Sequence, residues 1–130
     1  IVYVWVSGTV TMLLVVNIVL KNTWGRVRPN DVSYFGGFQD FTPWYKISNA
    51  CASNCSFVSG DSSVGFLLVV FYFITKKNAY LCLGLILGSL LGFIRIAAGG
   101  HFFSDIIFSQ IVVTITILMS FVLYKKLYDK

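Results

Sequence analysis

The chain has 130 residues, of which 57% are hydrophobic and only 12% charged, and it carries a net charge of +5 with a mean hydropathy of +0.81. So little charge cannot cover the surface of a soluble domain of this size. The basic excess sits at the ends of apolar blocks and not in one patch, so nucleic acid is not an expected partner.

Four apolar blocks follow in order: residues 1–20, 57–75, 79–98 and 102–124. Each approaches the ~20 residues a helix needs to cross a bilayer. None alternates strictly, which argues against a transmembrane barrel. The expected fold is all-α, a polytopic bundle with four spans in a single domain covering residues 1–130. The first block lacks a basic leader and an A-x-A site before Lys21, so it reads as a span and not as a signal peptide. A chain opening on Ile1 without methionine reads as a piece of a longer protein.

The connection after the first block holds Cys51 and Cys55, a spacing open to either a small disulfide or two free thiols. Its aromatics (Tyr34, Phe35, Phe38, Phe41, Trp44 and Tyr45) suit a membrane interface, where they would anchor the loop or guide a lipid headgroup. The second block is the weakest span, because Ser59, Asp61, Ser62 and Ser63 make its start polar. Lys76 and Lys77 fill the tight turn to the third block, which contains Cys82. Gly99 and Gly100 are placed to end that helix with positive φ. The last block closes on Lys125, Lys126 and Lys130. These basic ends have the pattern of cytoplasmic loops. Lys21, Arg26, Arg28, Lys46 and Arg95 on the opposite side balance them in number, so the count alone sets no orientation.

Antiparallel threading carries the remaining polar residues to the opposite face. Lys21 and Arg28 are expected about two turns apart on one helix face, with Arg28-Pro29 ending that helix. Ser59, Gly60 and Asp61 open the second helix, where free N–H groups favour an anion. Arg95 ends the third. His101 and Asp105 stand four apart at the start of the fourth, so the carboxylate is expected to accept a hydrogen bond from one imidazole nitrogen and leave the other free to attack. Taken singly, Ser59 is an ordinary cap, Lys21 a snorkelling lysine, Arg95 an interfacial anchor and His101 a structural histidine. Together, three cations, a helix start and a His–Asp pair describe a phosphoryl-transfer site. No metal or cofactor is called for.

These residues resemble the type-2 phosphatidic acid phosphatase and haloperoxidase superfamily, whose signature runs K-x6-R-P, then P-S-G-H, then S-R-x5-H-x3-D. Here Lys21 to Arg28-Pro29 matches the first element, Val58-Ser59-Gly60-Asp61 stands for the second, and Ile94-Arg95 with His101 and Asp105 keeps the spacing of the third. The resemblance implies that Lys21, Arg28, Arg95, Ser59 and Gly60 hold phosphate. It also implies that His101 becomes a phosphohistidine oriented by Asp105, without metal. It further implies a six-span whole with two helices upstream, and a site on the non-cytoplasmic face, here the periplasmic side of a bacterial inner membrane. Val58, Ile94 and Asp61 replace the usual proline, serine and histidine. Asp61 thus occupies the place of the family's candidate acid for the leaving group. The stretch from Cys51 to Gly60 is similar to lipid A phosphatase-like members. The implied substrate is a lipid phosphate such as lipid A, an isoprenyl diphosphate or a phosphatidyl phosphate. A lipid phosphotransferase and a non-catalytic binder of anionic lipid remain the competing readings.

Overall fold

The computed structural model describes residues 1–128; Lys130 lies outside the described residues. Helix α1 spans Val2–Lys21, and its second part, Val10–Lys21, is wound as a π-helix. Helices α2 (Gly60–Phe66) and α3 (Val69–Thr75) follow a long connection, then α4 (Asn78–Ala97) and α5 (Phe103–Tyr128). The fold is an all-helical bundle. Among the described residues, α1, α4 and α5 are long and apolar enough to cross a membrane.

The second block departs from its expected full span. Residues 57–59 are not helical, and the helix begins only where the Ser59 hydroxyl accepts from the Ser62 N–H at 3.4 Å. From Gly60 to Thr75 the rise is roughly 24 Å at ~1.5 Å per residue, short of the ~30 Å hydrocarbon core. The piece tightens at Leu67 and Leu68, where N–H groups bond three residues back (Leu67 to Val64, 3.2 Å; Leu68 to Gly65, 3.4 Å).

The first helix also ends earlier than expected, by Thr23. Gly25 takes φ +62°, and a Cβ there would collide with the Ser48 carbonyl, so only glycine fits. Arg28 is extended (φ −80°, ψ 153°), as the residue before a proline must be. Lys21 and Arg28 therefore share no helix face; the fold of the connection brings them together.

Small residues let α2 press against α4. A Cβ at Gly65 would stand 2.5 Å from the Gly88 nitrogen, and Gly84, Gly88 and Gly92 form the matching stripe against Val69, Phe66 and Ile106. Without a hydrophobic force between helices in lipid, such close approach is what holds them. Serines complete the contact: Ser62 Oγ donates to the Gly88 carbonyl (2.6 Å), and Ser63 Oγ and Ser109 Oγ to that of Ser59 (2.7 and 3.0 Å). The connection packs down through aromatics, with Trp24 stacked on Phe57 (4.7 Å between centroids) and Trp44 on Phe108 (4.6 Å). Tyr34, Phe35 and Phe38 stay exposed.

The antiparallel order puts the Lys76-Lys77 turn at one end of the bundle and the Asn30–Gly99 contact (Asn30 N–H to Gly99 O, 3.1 Å) at the other. Single cysteines replacing Lys77 and Asn30, in a Cys82→Ser background, should therefore react with an impermeant maleimide from opposite sides of a sealed vesicle. Reaction of both from one side would overturn the threading.

Candidate active site

Helix α4 ends on a left-handed glycine, as its sequence leads one to expect: Gly99 has φ +68°, and the Gly100 N–H returns to the Arg95 carbonyl at 2.9 Å. Asn30 clamps this turn, with its Nδ2 donating to the Ala98 carbonyl at 3.1 Å. The turn delivers His101 into a buried position, 2% exposed.

Nδ1 of His101 lies 2.7 Å from the Ser56 carbonyl oxygen. A carbonyl only accepts, so Nδ1 carries the proton and Nε2 keeps its lone pair. The expected direct bond to Asp105 is not made. Asp105 Oδ2 stands 3.6 Å from Nδ1, and the Ser56 carbonyl holds the place a bonded carboxylate would take. Asp105 is instead the hub of its own network. It accepts from the Ser56 hydroxyl (2.5 Å), from the Phe102 N–H (2.9 Å) and from Arg26 Nη1.

Nothing in the motif spacing singles out Arg26. It is 2% exposed, donating through Nη1 to Asp105 and Ser104 Oγ (2.8 Å) and through Nε to the Thr42 carbonyl (3.0 Å). Its guanidinium also lies 4.3 Å from the Phe102 ring centroid. Burial lowers the pKa of Arg26, while the charge and hydrogen bond of Asp105 act to raise it. From so high a starting value it stays a cation at neutral pH.

The cations gather beside this core. Lys21 Nζ donates to Asn54 Oδ1 (3.2 Å) and lies 3.2 Å from where a Gly60 Cβ would be. Arg28 donates through Nε and Nη2 to the Asn54 carbonyl (3.2 and 2.8 Å). Arg28, Asp61 and Arg95 are the charged neighbours of Lys21. Arg95 packs over Gly100, and its Nε lies 3.0 Å from Asp61 Oδ2. That contact is an ion pair only, since the N–H is not aimed at the carboxylate and remains without an acceptor. Gly60 and Asp61 present the unpaired N–H groups of a helix start. Ser59 is fully buried and turned inward as the cap. Lys21, Arg28, Gly60, Asp61 and Arg95 thus share one face next to the His101 turn, and Ser59 supports it from behind. Cys51 and Cys55 are joined in a disulfide, Cα–Cα 5.7 Å. A cleft of about 370 Å³ reaches His101 between Asn30, Phe35, Gly99 and Phe103.

A family model described as the PAP2 superfamily matches residues 2–129. The chain belongs to the PAP2 superfamily. It is an integral membrane protein of that superfamily, with α1, α4 and α5 as its membrane-length helices. It is 43% identical over 121 residues to a lipid A 4'-phosphatase of Francisella tularensis subsp. novicida (strain U112), a match covering 90% of this chain and 53% of that protein. It is 37% identical over 98 residues to a lipid A 4'-phosphatase of Rhizobium leguminosarum, covering 73% and 42%. A lipid A 4'-phosphatase of Rhizobium etli is 36% identical over 97 residues, covering 72% and 38%. The chain spans about half the length of these curated relatives, or less. No solved structure matches it.

Removing one member of a buried ion pair strands the other charge, at about 3–5 kcal/mol. Arg26→Met should lower stability on that scale, read as a fall in the thermal midpoint of the detergent-purified protein. Arg26→Lys should recover part of the loss. An unchanged midpoint in Arg26→Met would show that Asp105 does not depend on this partner.

Proposed function

We propose that this protein is a membrane lipid phosphatase acting on the 4'-phosphate of a lipid A-type glycolipid. The observation that carries the reading is the His101 environment. A buried imidazole with its proton fixed on Nδ1 by the Ser56 carbonyl adjoins Gly100, over which Arg95 packs, with Lys21 and Arg28 on the same face as Arg95. The names of the relatives supply the substrate class.

The chemistry follows from that arrangement. Lys21, Arg28 and Arg95 neutralise the phosphoryl oxygens, with the N–H groups of Gly60 and Asp61 adding donors. The Nε2 lone pair of His101 attacks phosphorus in line as the P–O bond to the sugar breaks. The departing 4' oxygen takes a proton. Water then attacks the phosphohistidine and inorganic phosphate leaves. Asp105 stands 3.6 Å behind Nδ1 and stabilises the positive ring through space, with Ser56 holding both groups.

Asp61 sits where the family's histidine would face the leaving group, and its Oδ2 lies 3.0 Å from Arg95 Nε. A carboxylate paired with that guanidinium has no proton to give. A general acid contributes roughly 10²–10⁴-fold in typical enzymes, so the sugar oxygen of this enzyme draws its proton from solvent at the exposed face, where Asp61 is 58% exposed. The disulfide belongs in an oxidising compartment, which supports placing the site at the periplasmic face of a bacterial inner membrane.

Inorganic phosphate release from lipid A, isoprenyl diphosphate and phosphatidic acid tests the reading, with mass spectrometry locating the phosphate that is lost. Lipid A should release phosphate faster than phosphatidic acid, and loss should occur at the 4' position. His101→Ala should abolish release and the acid-labile phosphoryl-enzyme. Substantial turnover in that variant would end the mechanism. Asp61→His should raise kcat/KM for the 4' monoester at least about tenfold relative to the diphosphate, whose leaving group needs little protonation. An unchanged ratio would remove Asp61 from the leaving-group side.

A further inference from the structure

The segment from Cys51 to Ser56 touches Lys21, Arg26, Arg28, His101 and Asp105. Asn54 accepts from two nitrogens of Arg28 through its carbonyl and from Lys21 through Oδ1. Two residues on, the Ser56 carbonyl accepts from His101 Nδ1 and the Ser56 hydroxyl donates to Asp105. The Ser56 N–H donates to the Arg26 carbonyl at 2.9 Å. Between Asn54 and Ser56 lies Cys55, fully buried and bonded to Cys51. Asn54 itself is left-handed, at φ 49°, a conformation that asparagine tolerates better than most residues. That turn lets the carbonyl and the side chain of one residue meet two different cations.

We propose that this disulfide-closed loop positions the site, with Asn54 setting the phosphate-binding cations and Ser56 setting the His101–Asp105 pair, and that the intact Cys51–Cys55 bond is required for both. The inference rests on the phosphatase reading for its substrate, though its phosphate-binding half stands on the geometry alone.

The division of labour follows from which edge of each group is held. Asn54 occupies Nε and Nη2 of Arg28, so the Nη1 edge is left for a ligand. It takes one of the three Lys21 donors and leaves two. Both side chains are long and rotamer-rich, and fixing them before a ligand arrives removes ordering that binding would otherwise require. Ser56 acts on the nucleophile: its carbonyl selects the tautomer, and its hydroxyl fixes the carboxylate behind the ring. In this loop the bond joins residues only four apart. Its rupture frees the Asn54 turn first and leaves the spans in place.

The experiment uses the full chain in nanodiscs, oxidised or reduced with a phosphine. The phosphine supplies two electrons and becomes the phosphine oxide with oxygen from water, and the S–S bond becomes two thiols. Alkylation mass verifies the thiols, and a Cys51→Ser/Cys55→Ser variant provides the same state without reductant. Three quantities are read: KM and kcat for lipid A, and the Kd of inorganic phosphate. Asn54→Ala should raise KM and the phosphate Kd by on the order of 10- to 100-fold, and opening the bond should do the same and lower kcat as well. Ser56→Ala should lower kcat by a similar factor and leave the phosphate Kd unchanged, with rescue by Ser56→Thr. Reoxidation should restore the reduced protein.

A merely structural bond would lower the thermal midpoint and the active fraction, without moving KM or the phosphate Kd. Verified dithiol protein with unchanged KM and phosphate affinity would overturn the proposal. Should oxidised wild type release phosphate from no lipid, the phosphatase reading fails, and the phosphate titration still judges the loop.

Discussion

A carboxylate with no access to water needs a full set of donors, because an unpaired buried charge costs several kcal/mol. Asp105 is such a group, at the start of a membrane-length helix, and much of the local structure can be traced to its partners. Arg26 has to be buried opposite it, so the connection after α1 must dive inward. Ser56 has to face it, so the chain before α2 must run alongside α5. Once Ser56 is there, its carbonyl meets His101. The imidazole is therefore fixed by the same segment that satisfies the carboxylate, without the two needing to touch.

That arrangement needs α2 close to both α4 and α5, and here glycine does what a larger core would do in water. The Gly84, Gly88 and Gly92 stripe lets Phe66 and Ile106 lie directly on the α4 backbone. Ser62 of α2 then finds the Gly88 carbonyl on α4, and Ser109 of α5 reaches the Ser59 carbonyl at the start of α2. Packing and polar satisfaction therefore draw on the same short helix, whose first turn also carries the N–H groups proposed to hold phosphate.

Much of the site was legible in the sequence because it follows from spacing. The turn at Gly99 and the arrival of Arg95 beside it follow from where α4 ends, whereas His101 lies two residues before α5 and is held near Asp105 by Ser56 and not by helix spacing. The positions of Arg26, Asn54 and Ser56 were not legible, because they lie in irregular chain whose path is set by contacts distant in sequence. The one available signal was Arg26 itself, a basic residue flanked by Gly25 and Val27 and not by polar neighbours. The shared helix face expected for Lys21 and Arg28 failed for a local reason, namely the left-handed Gly25 and the extended residue before Pro29. Their convergence on Asn54 came by a different route. The second span was overestimated because hydropathy counted residues 57–59, which are apolar or small but lie before the helix begins.

The shortness of that helix has a consequence for depth. Its far end is tied to the Lys76-Lys77 turn, where the lysines require the level of the headgroups. A rise of roughly 24 Å from there stops about 6 Å below the opposite boundary of a ~30 Å hydrocarbon slab. With the lysines at that level, Gly60 and Asp61 would lie in a dimple of the bilayer, with the lipid thinned or water admitted around them. A phosphate tethered to acyl chains can settle into such a depression while its tails remain in the leaflet. A soluble phosphate ester would have to leave bulk water to follow it. Vertical position alone would then select amphiphiles over free sugar phosphates, before any side chain has read the headgroup.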